Sequence, residues 1–383
     1  MMTREANMTE VEIDPERQKK AKQYARIERR LYFIDLGIGG VYVIAWLIFG
    51  WSIAVKNALS AISTSDWFLV AGVAFVFVAI LYVIDLPLSY YSGFVLPHRF
   101  ELSTQTIGGW ISDQIKLILI GGVFGFIFIE VIYAVLRAAP ETWWLWAAAI
   151  MLLFTVVLAN LSPILIMPIF YRVVPLGEEY ADLSARLIRL AERAHTTVRG
   201  VYKFDMSRRT KAANAALMGL GNTRRIVLGD TLLSEFSADE IESVLAHELG
   251  HHVNKDIPIG IVMETASTVI GLWIASVVMN WGVAVFGYTS PADPASLPLF
   301  VLVMGLFGLT TMPLGNAFSR WRERKADAYA LQATRNPQAF IGAMTRLANQ
   351  NLGEVDPEPW EEFLLHTHPA LGKRIKMAEA YKP

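Results

Sequence analysis

Six apolar runs, at roughly 31–54, 66–90, 114–137, 142–169, 257–286 and 297–318, each reach the ~20 residues that a helix needs to cross the hydrocarbon core of a bilayer. A backbone in lipid must satisfy its own hydrogen bonds, so each run is expected to be a helix. Runs such as WFLVAGVAFVFVAILYVI are too long and too free of charge for the buried helices of a soluble core. Composition agrees, since 54% of the 383 residues are apolar and only 18% are charged. Lys and Arg accumulate on the cytosolic side of membrane proteins. With six crossings and the N-terminus inside, the outer connections fall near 55–65, 138–141 and 287–296. Only Lys56 and Arg137, of 34 Lys and Arg, lie in them or at an outer helix end. The sequence therefore reads as an integral multi-pass protein with its polar regions facing the cytosol, in a bacterial plasma membrane or an endoplasmic reticulum membrane.

The N-terminal DPERQKKAKQYARIERR is too charged and too long for the positive region of a signal peptide, and is expected to be an interfacial or cytosolic helix. A net charge of −1 and the lack of any nucleic-acid motif exclude a basic nucleic-acid binder. There is no cysteine, so any metal must be held by His, Asp or Glu. The chain divides into a segment at 1–30, a four-helix membrane region at 31–170, a polar region at 171–256, a transmembrane pair at 257–318 and a second polar region at 319–383. In the first polar region, VRGVYKFDM, NAALMG and RRIVLGD read as short strands, with turn chemistry at 219–222 between the last two. A helix follows from about Ala238, its start SADE resembling a Ser-capped N-terminus. The expected fold is mostly α, a multi-pass membrane protein of about six transmembrane helices with a small α+β domain.

That helix carries VLAHELGHHVNKD, residues 244–256. His247 and His251, four residues apart, project from one face one turn apart, as two ligands of a single zinc ion require. Glu248 is displaced around the helix, so its carboxylate reaches a water at the metal rather than the metal itself, and can take that water's proton. Read instead as solvated polar residues, the three would form an unpaired His-Glu-His cluster in an apolar helix, which is costly to bury. Catalytic zinc keeps three protein ligands and one open position. The candidate third ligand is Glu323 in SRWRERKADAYA, which follows the last membrane run on the same side. Alone, Glu323 among three arginines and a lysine would read as a salt-bridged surface residue; the HExxH upstream reverses that. Asp327, at i+4 from Glu323, would accept the free N–H of a ligand histidine and fix its tautomer.

HELGH, a transmembrane pair and then SRxxExxAD, with an upstream NAxxxG strand and a downstream HPxxxxRI, resembles the type I CAAX prenyl proteases and their bacterial relatives. Here these elements read NAALMG from Asn214 to Gly219, HELGH from His247 to His251, Ser319 to Asp327, and HPALGKRI from His368 to Ile375. Order and approximate spacing match from about residue 80 to the C-terminus, including ELSTQTIGGWISDQIK before the third membrane run. The resemblance implies endoproteolysis at one zinc ion, with His247, His251 and Glu323 as ligands and Glu248 as base. It also implies that Asn214 contacts the substrate backbone beside an edge strand, while His368 and Arg374 stabilise the tetrahedral oxyanion. Eukaryotic members have seven membrane helices around a water-filled chamber, and this chain has six runs. Asp35, Asp85, Glu130 and Glu264, within or near the ends of apolar runs, fit either a wet interior or interfacial placement. His98, His195, His252 and His366 have no spacing relation that suggests catalysis, and Trp51, Trp67, Trp143 and Trp144 read as interfacial anchors.

The function expected is hydrolysis of membrane-associated peptides, near the C-terminus of prenylated CAAX-type substrates on the strength of the resemblance. Quality-control proteolysis of membrane proteins is the alternative within the enzyme class. A nonenzymatic client-binding scaffold with a structural zinc site is the alternative outside it, and Glu248 speaks against it, since structural zinc takes four protein ligands and needs no base.

Overall fold

The computed structural model describes residues 12–219 and 223–382. Six of its helices are long and apolar enough to span a membrane. Helix α1 (Pro15–Ile48) begins where Asp14 accepts the amide N–H groups of Glu16 and Arg17, with Pro15 at the first helical position. It runs unbroken from the charged N-terminal stretch into the first apolar run, so the two expected pieces form one rod. After the short α2 (Trp51–Ser60), α3 (Asp66–Tyr90) continues through a π-helical turn, Tyr91–Val95, into α4 (Leu96–Arg99). Then come α5 (Ile107–Ala138) and α6 (Trp143–Leu161), the latter extended by a second π-helical turn, Ser162–Ile166, and by α7 (Met167–Phe170). Exposed apolar side chains such as Phe75, Val83, Leu119 and Leu153 cover their flanks, a surface that only lipid accommodates.

The first polar region holds β1 (Val173–Pro175), α8 (Ala181–Arg193), β2 (Val201–Phe204), β3 (Ala215–Met218), β4 (Arg225–Gly229), α9 (Asp230–Glu235) and α10 (Ala238–Val253). The three expected strands form, joined by β1, which three residues were too few to announce. The sheet order is β1-β2-β4-β3, with β2 parallel to β4 and β3 antiparallel to it, Ala215 opposite Leu228. Strand β3 is therefore an edge. Of the turn expected at 219–222, residues 220–222 lie outside the described set; Gly219 has φ +90, and a Cβ there would meet the Thr223 carbonyl oxygen at 2.7 Å.

Helix α11 (Asp256–Phe286) is the fifth candidate span and α12 (Leu297–Thr334) the sixth. The last apolar run ends near 318 in sequence, yet α12 continues without interruption to Thr334. Helices α13 (Pro337–Gln350), α14 (Pro359–Leu365) and α15 (Leu371–Glu379) complete the lobe. Leu187, Leu190, Ile226, Leu228, Leu245, Leu249, Ala330, Leu331, Phe340 and Met344 form one buried core, so the end of α12 is packed into the lobe.

The membrane helices pack unevenly along their length. Their joint core draws on Tyr42 and Trp46, Val70 to Phe77, Ile132 to Leu136, Trp143 to Ala148, Leu272 to Met279 and Leu297 to Val303. All lie in the halves remote from the lobe, next to the three connections expected to share one side. There Lys56 donates to Asp293 at 2.7 Å and Tyr133 meets Ser296 at 3.2 Å. Toward the lobe the helices add no described residue to this core. Asp35 and Asp85 line a cavity of about 300 Å³ with Glu28, Ser89 and Ser92, whereas Glu130 is buried at the packed end. The lobe is tied on by ELSTQT: Lys211 donates its amide to Leu102 O at 2.8 Å, and Arg209 makes a bidentate pair with Asp113 of α5, both contacts at 2.8 Å.

Candidate metal centre

Helix α10 is fixed at its start by a capping box. Ser237 Oγ accepts the Glu240 N–H at 3.3 Å, and Glu240 Oε2 accepts the Ser237 N–H at 2.7 Å. Arg346 of α13 donates to the same carboxylate at 2.8 Å. The helix is buried along most of its length and lies against α12. Gly250 permits that approach, since a Cβ there would fall 2.8 Å from Ala326 Cα and 2.9 Å from its carbonyl oxygen. The glycine inside HELGH thus sets how near α10 comes to the helix that carries Glu323.

One ligand atom from each of His247, His251 and Glu323 lies within 4.8 Å of the others. The two Nε2 atoms are 3.1 Å apart; Glu323 Oε2 lies 3.3 Å from His247 Nε2 and Oε1 lies 3.4 Å from His251 Nε2. Each imidazole has a carboxylate at its other nitrogen: Asp327 Oδ1 is 2.8 Å from His247 Nδ1, and Asp256 Oδ2 is 2.7 Å from His251 Nδ1. If both Nδ1 atoms donate to those carboxylates, both Nε2 atoms present lone pairs to one another, an arrangement that a cation between them relieves. The buried Glu323 Oε2 has no well-aligned hydrogen-bond partner among the described residues. Burial pulls the His247 pKa down, but Asp327 and Glu323 outweigh it and raise it to about 9. This donor set demands positive charge, and two imidazoles with a carboxylate and no thiolate fit a catalytic zinc ion.

Around this cluster the other expected residues take different positions. Glu248 is half-buried; burial pushes its carboxyl above the ordinary range, opposed by His247 and His251. His368, largely exposed, reaches Glu323 Oε1 with its Nε2 at 3.3 Å. Arg374 is buried and gives Nε to Asp327 Oδ2 at 2.9 Å and Nη2 to Oδ1 at 2.6 Å, with Nη2 also 3.4 Å from His247 Nδ1. Asn214 is exposed immediately before β3, and its carbonyl accepts the Gly229 N–H at 2.9 Å. Strand β3 packs beside α10. Asp256 and Arg322, which form an ion pair behind His251, were not legible in the sequence. Asp256 stands five residues after His251, beyond the end of α10, where helical spacing has no meaning.

The chain matches two family models end to end: "CAAX prenyl protease N-terminal, five membrane helices" over residues 4–172 and "Peptidase family M48" over residues 178–382. A Bacillus subtilis (strain 168) protein, "Uncharacterized metalloprotease YhfN", is 29% identical over 363 residues, covering 94% of this chain and 84% of that one. "CAAX prenyl protease 1" of Saccharomyces cerevisiae is 31% identical over 400 residues, covering 96% and 86%. The crystal structure of S. mikatae Ste24p superposes with a TM-score of 0.86 over 96% of this chain and 90% of that one, at 23% identity, a likeness of fold. The scaffold reading is thereby set aside. The chain belongs to peptidase family M48, the family of the CAAX prenyl proteases, and is a multi-pass membrane metalloprotease.

Proposed function

We propose that this protease hydrolyses peptide bonds of membrane-associated substrates, and that prenylated CAAX-type peptides, cut near their C-terminus, are its favoured class. The observation that carries the reading is the convergence of His247, His251 and Glu323 beside Glu248, one helix away from the open edge of β3. His247, His251 and Glu323 would hold one zinc ion, and Asp327 would orient His247. When bound, zinc supplies Lewis acidity, polarising a carbonyl and lowering the pKa of water. Glu248 takes the proton of the attacking water and passes it to the leaving amine, its half-buried carboxyl lying on the helix next to His247. The substrate backbone adds as a strand to β3, with Asn214 at its entry. His368 faces the centre from the C-terminal segment and donates to the developing oxyanion, with Arg374 adding positive charge from behind His247. The polar cavity at Asp35 and Asp85 and the exposed apolar flanks of the membrane helices suit a lipid-tethered chain. The Lys and Arg distribution supports a lobe facing the cytosol.

The test is zinc content together with cleavage of two peptides, one farnesylated at a CAAX cysteine and one unmodified, by wild type and Glu248→Gln. Cleavage of the lipidated peptide alone, lost in the variant with zinc retained, is the expected result. Equal cleavage of both peptides would replace the CAAX reading with broad quality-control proteolysis, and full activity in the variant would sink Glu248 as base.

A further inference from the structure

The two histidines of the metal centre are backed by parallel constructions. His247 meets Asp327, whose two oxygens are held by Arg374. His251 meets Asp256, whose other oxygen pairs with the guanidinium of Arg322. The second arrangement depends on an unusual turn between α10 and α11. Lys255 occupies the left-handed region at φ 56, ψ 40, a conformation that non-glycine residues adopt at a cost of order 1 kcal/mol or more. That reversal brings Asp256, the first residue of the fifth membrane helix, back onto the ring of His251. Arg322 secures the same turn twice, by pairing with Asp256 and by donating to the Asn254 carbonyl. It also precedes Glu323 directly on α12, and both it and Asp256 are largely shielded from solvent.

We infer that Asp256 and Arg322 are positioning residues for the metal centre: Asp256 accepts the Nδ1–H of His251 so that Nε2 faces the metal, and Arg322 fixes Asp256 while joining the two membrane helices to the site. The inference rests on the zinc-site reading above. Neither residue touches the substrate or the metal in this role. Losing such a carboxylate costs 10–100-fold in metal affinity.

The experiment measures zinc affinity of the full-length detergent-solubilised protein by competition with a chromophoric chelator, for wild type, Asp256→Asn, Asp256→Glu and Arg322→Gln. Thermal unfolding of each zinc-free protein is recorded in parallel. Expected are a 10–100-fold weaker affinity in Asp256→Asn with zinc-free unfolding like wild type, a smaller loss in Arg322→Gln, and partial recovery in Asp256→Glu. In the double variant Asp256→Asn with Arg322→Gln, the loss should be less than the product of the single losses, because the two act through one ring. Wild-type affinity in both single variants would overturn the positioning role while leaving the zinc site standing. A wild-type protein that binds no zinc would overturn the site reading and this inference with it. Should Asp256→Asn fail to fold, Arg322→Gln decides alone: unchanged affinity refutes the pair.

Discussion

His368 is the residue whose role the sequence alone was least able to carry, since a histidine before a proline reads as a loop residue. Its placement 3.3 Å from Glu323 brings it into the centre from a segment 117 positions beyond His251. An oxyanion donor is worth roughly 10²–10³ in rate. His368→Ala is therefore expected to lower kcat by about that factor on a cleavable peptide while zinc content stays at one per chain. A proportionate loss of zinc would instead make His368 a structural support of the site. Asp327 and Glu323 were legible because helical i, i+4 spacing on one element is a local rule. Asp256 was not, because its contact with His251 depends on one left-handed residue, and nothing in VNKD announces that Lys255 adopts it. Arg322 was hidden for a related reason: among neighbouring cations its sequence shows charge and not which carboxylate it will meet.

At the scale of elements, the decisive contact is the close crossing of α10 and α12 at Gly250 and Ala326. Overpacking a tight contact costs about 1–3 kcal/mol. Gly250→Ala is expected to push the helices apart, weaken zinc binding and lower the melting temperature together, since His251 follows Gly250 directly and Glu323 lies one turn from Ala326. A variant that melts lower but binds zinc normally would separate the crossing from the site. The segment bearing His368 has its own anchor. Glu362 of α14 pairs with Lys373 and accepts the Ala370 N–H at 3.2 Å; burial pushes its pKa up, but these partners hold it below the ordinary value. Its stabilising contribution is thus complete above the unfolded carboxylate pKa and lost as the pH falls through the lower folded value. Glu362→Gln should speed amide exchange of residues 366–374 at neutral pH, by about 1 kcal/mol in opening free energy. Wild type should show that loosening only at pH values under the usual carboxylate range. Identical exchange in both proteins at pH 7 would remove Glu362 as the anchor. Strand positions were readable in outline because β-branched and apolar residues marked three of four; β1 lacked the length to show a period.

For the whole molecule, the six apolar runs announced the spans, and the spans formed with boundaries shifted wherever a helix outran its greasy part. Helix α1 begins sixteen residues before its apolar run, and α12 ends sixteen after its own. Hydrophobicity marks what lipid contacts and not where a helix stops, so the continuous helical connection of membrane to lobe was invisible. Sidedness is testable directly because the chain has no cysteine. In a bacterial plasma membrane, Thr64→Cys, at the end remote from the lobe, should react with a membrane-impermeant maleimide applied outside intact cells, whereas Glu379→Cys should react only after lysis. The reverse pattern would invert the orientation argued from Lys and Arg.

The continuity of α12 has a mechanical consequence. Its 38 residues extend about 57 Å, one part apolar enough to span a membrane and the other bearing Glu323, the candidate third ligand. Helices answer a mismatch with bilayer thickness by tilting, at fractions of a kcal/mol per Å. Tilting this one is expected to load the α10–α12 crossing that keeps Glu323 beside the histidines, with Pro313 inside the helix as the point where it can bend. Acyl-chain length is therefore expected to affect the rate of hydrolysis. In vesicles of stepwise increasing chain length, kcat should pass through an optimum, and a flat response would mean that the lobe absorbs the tilt before it arrives.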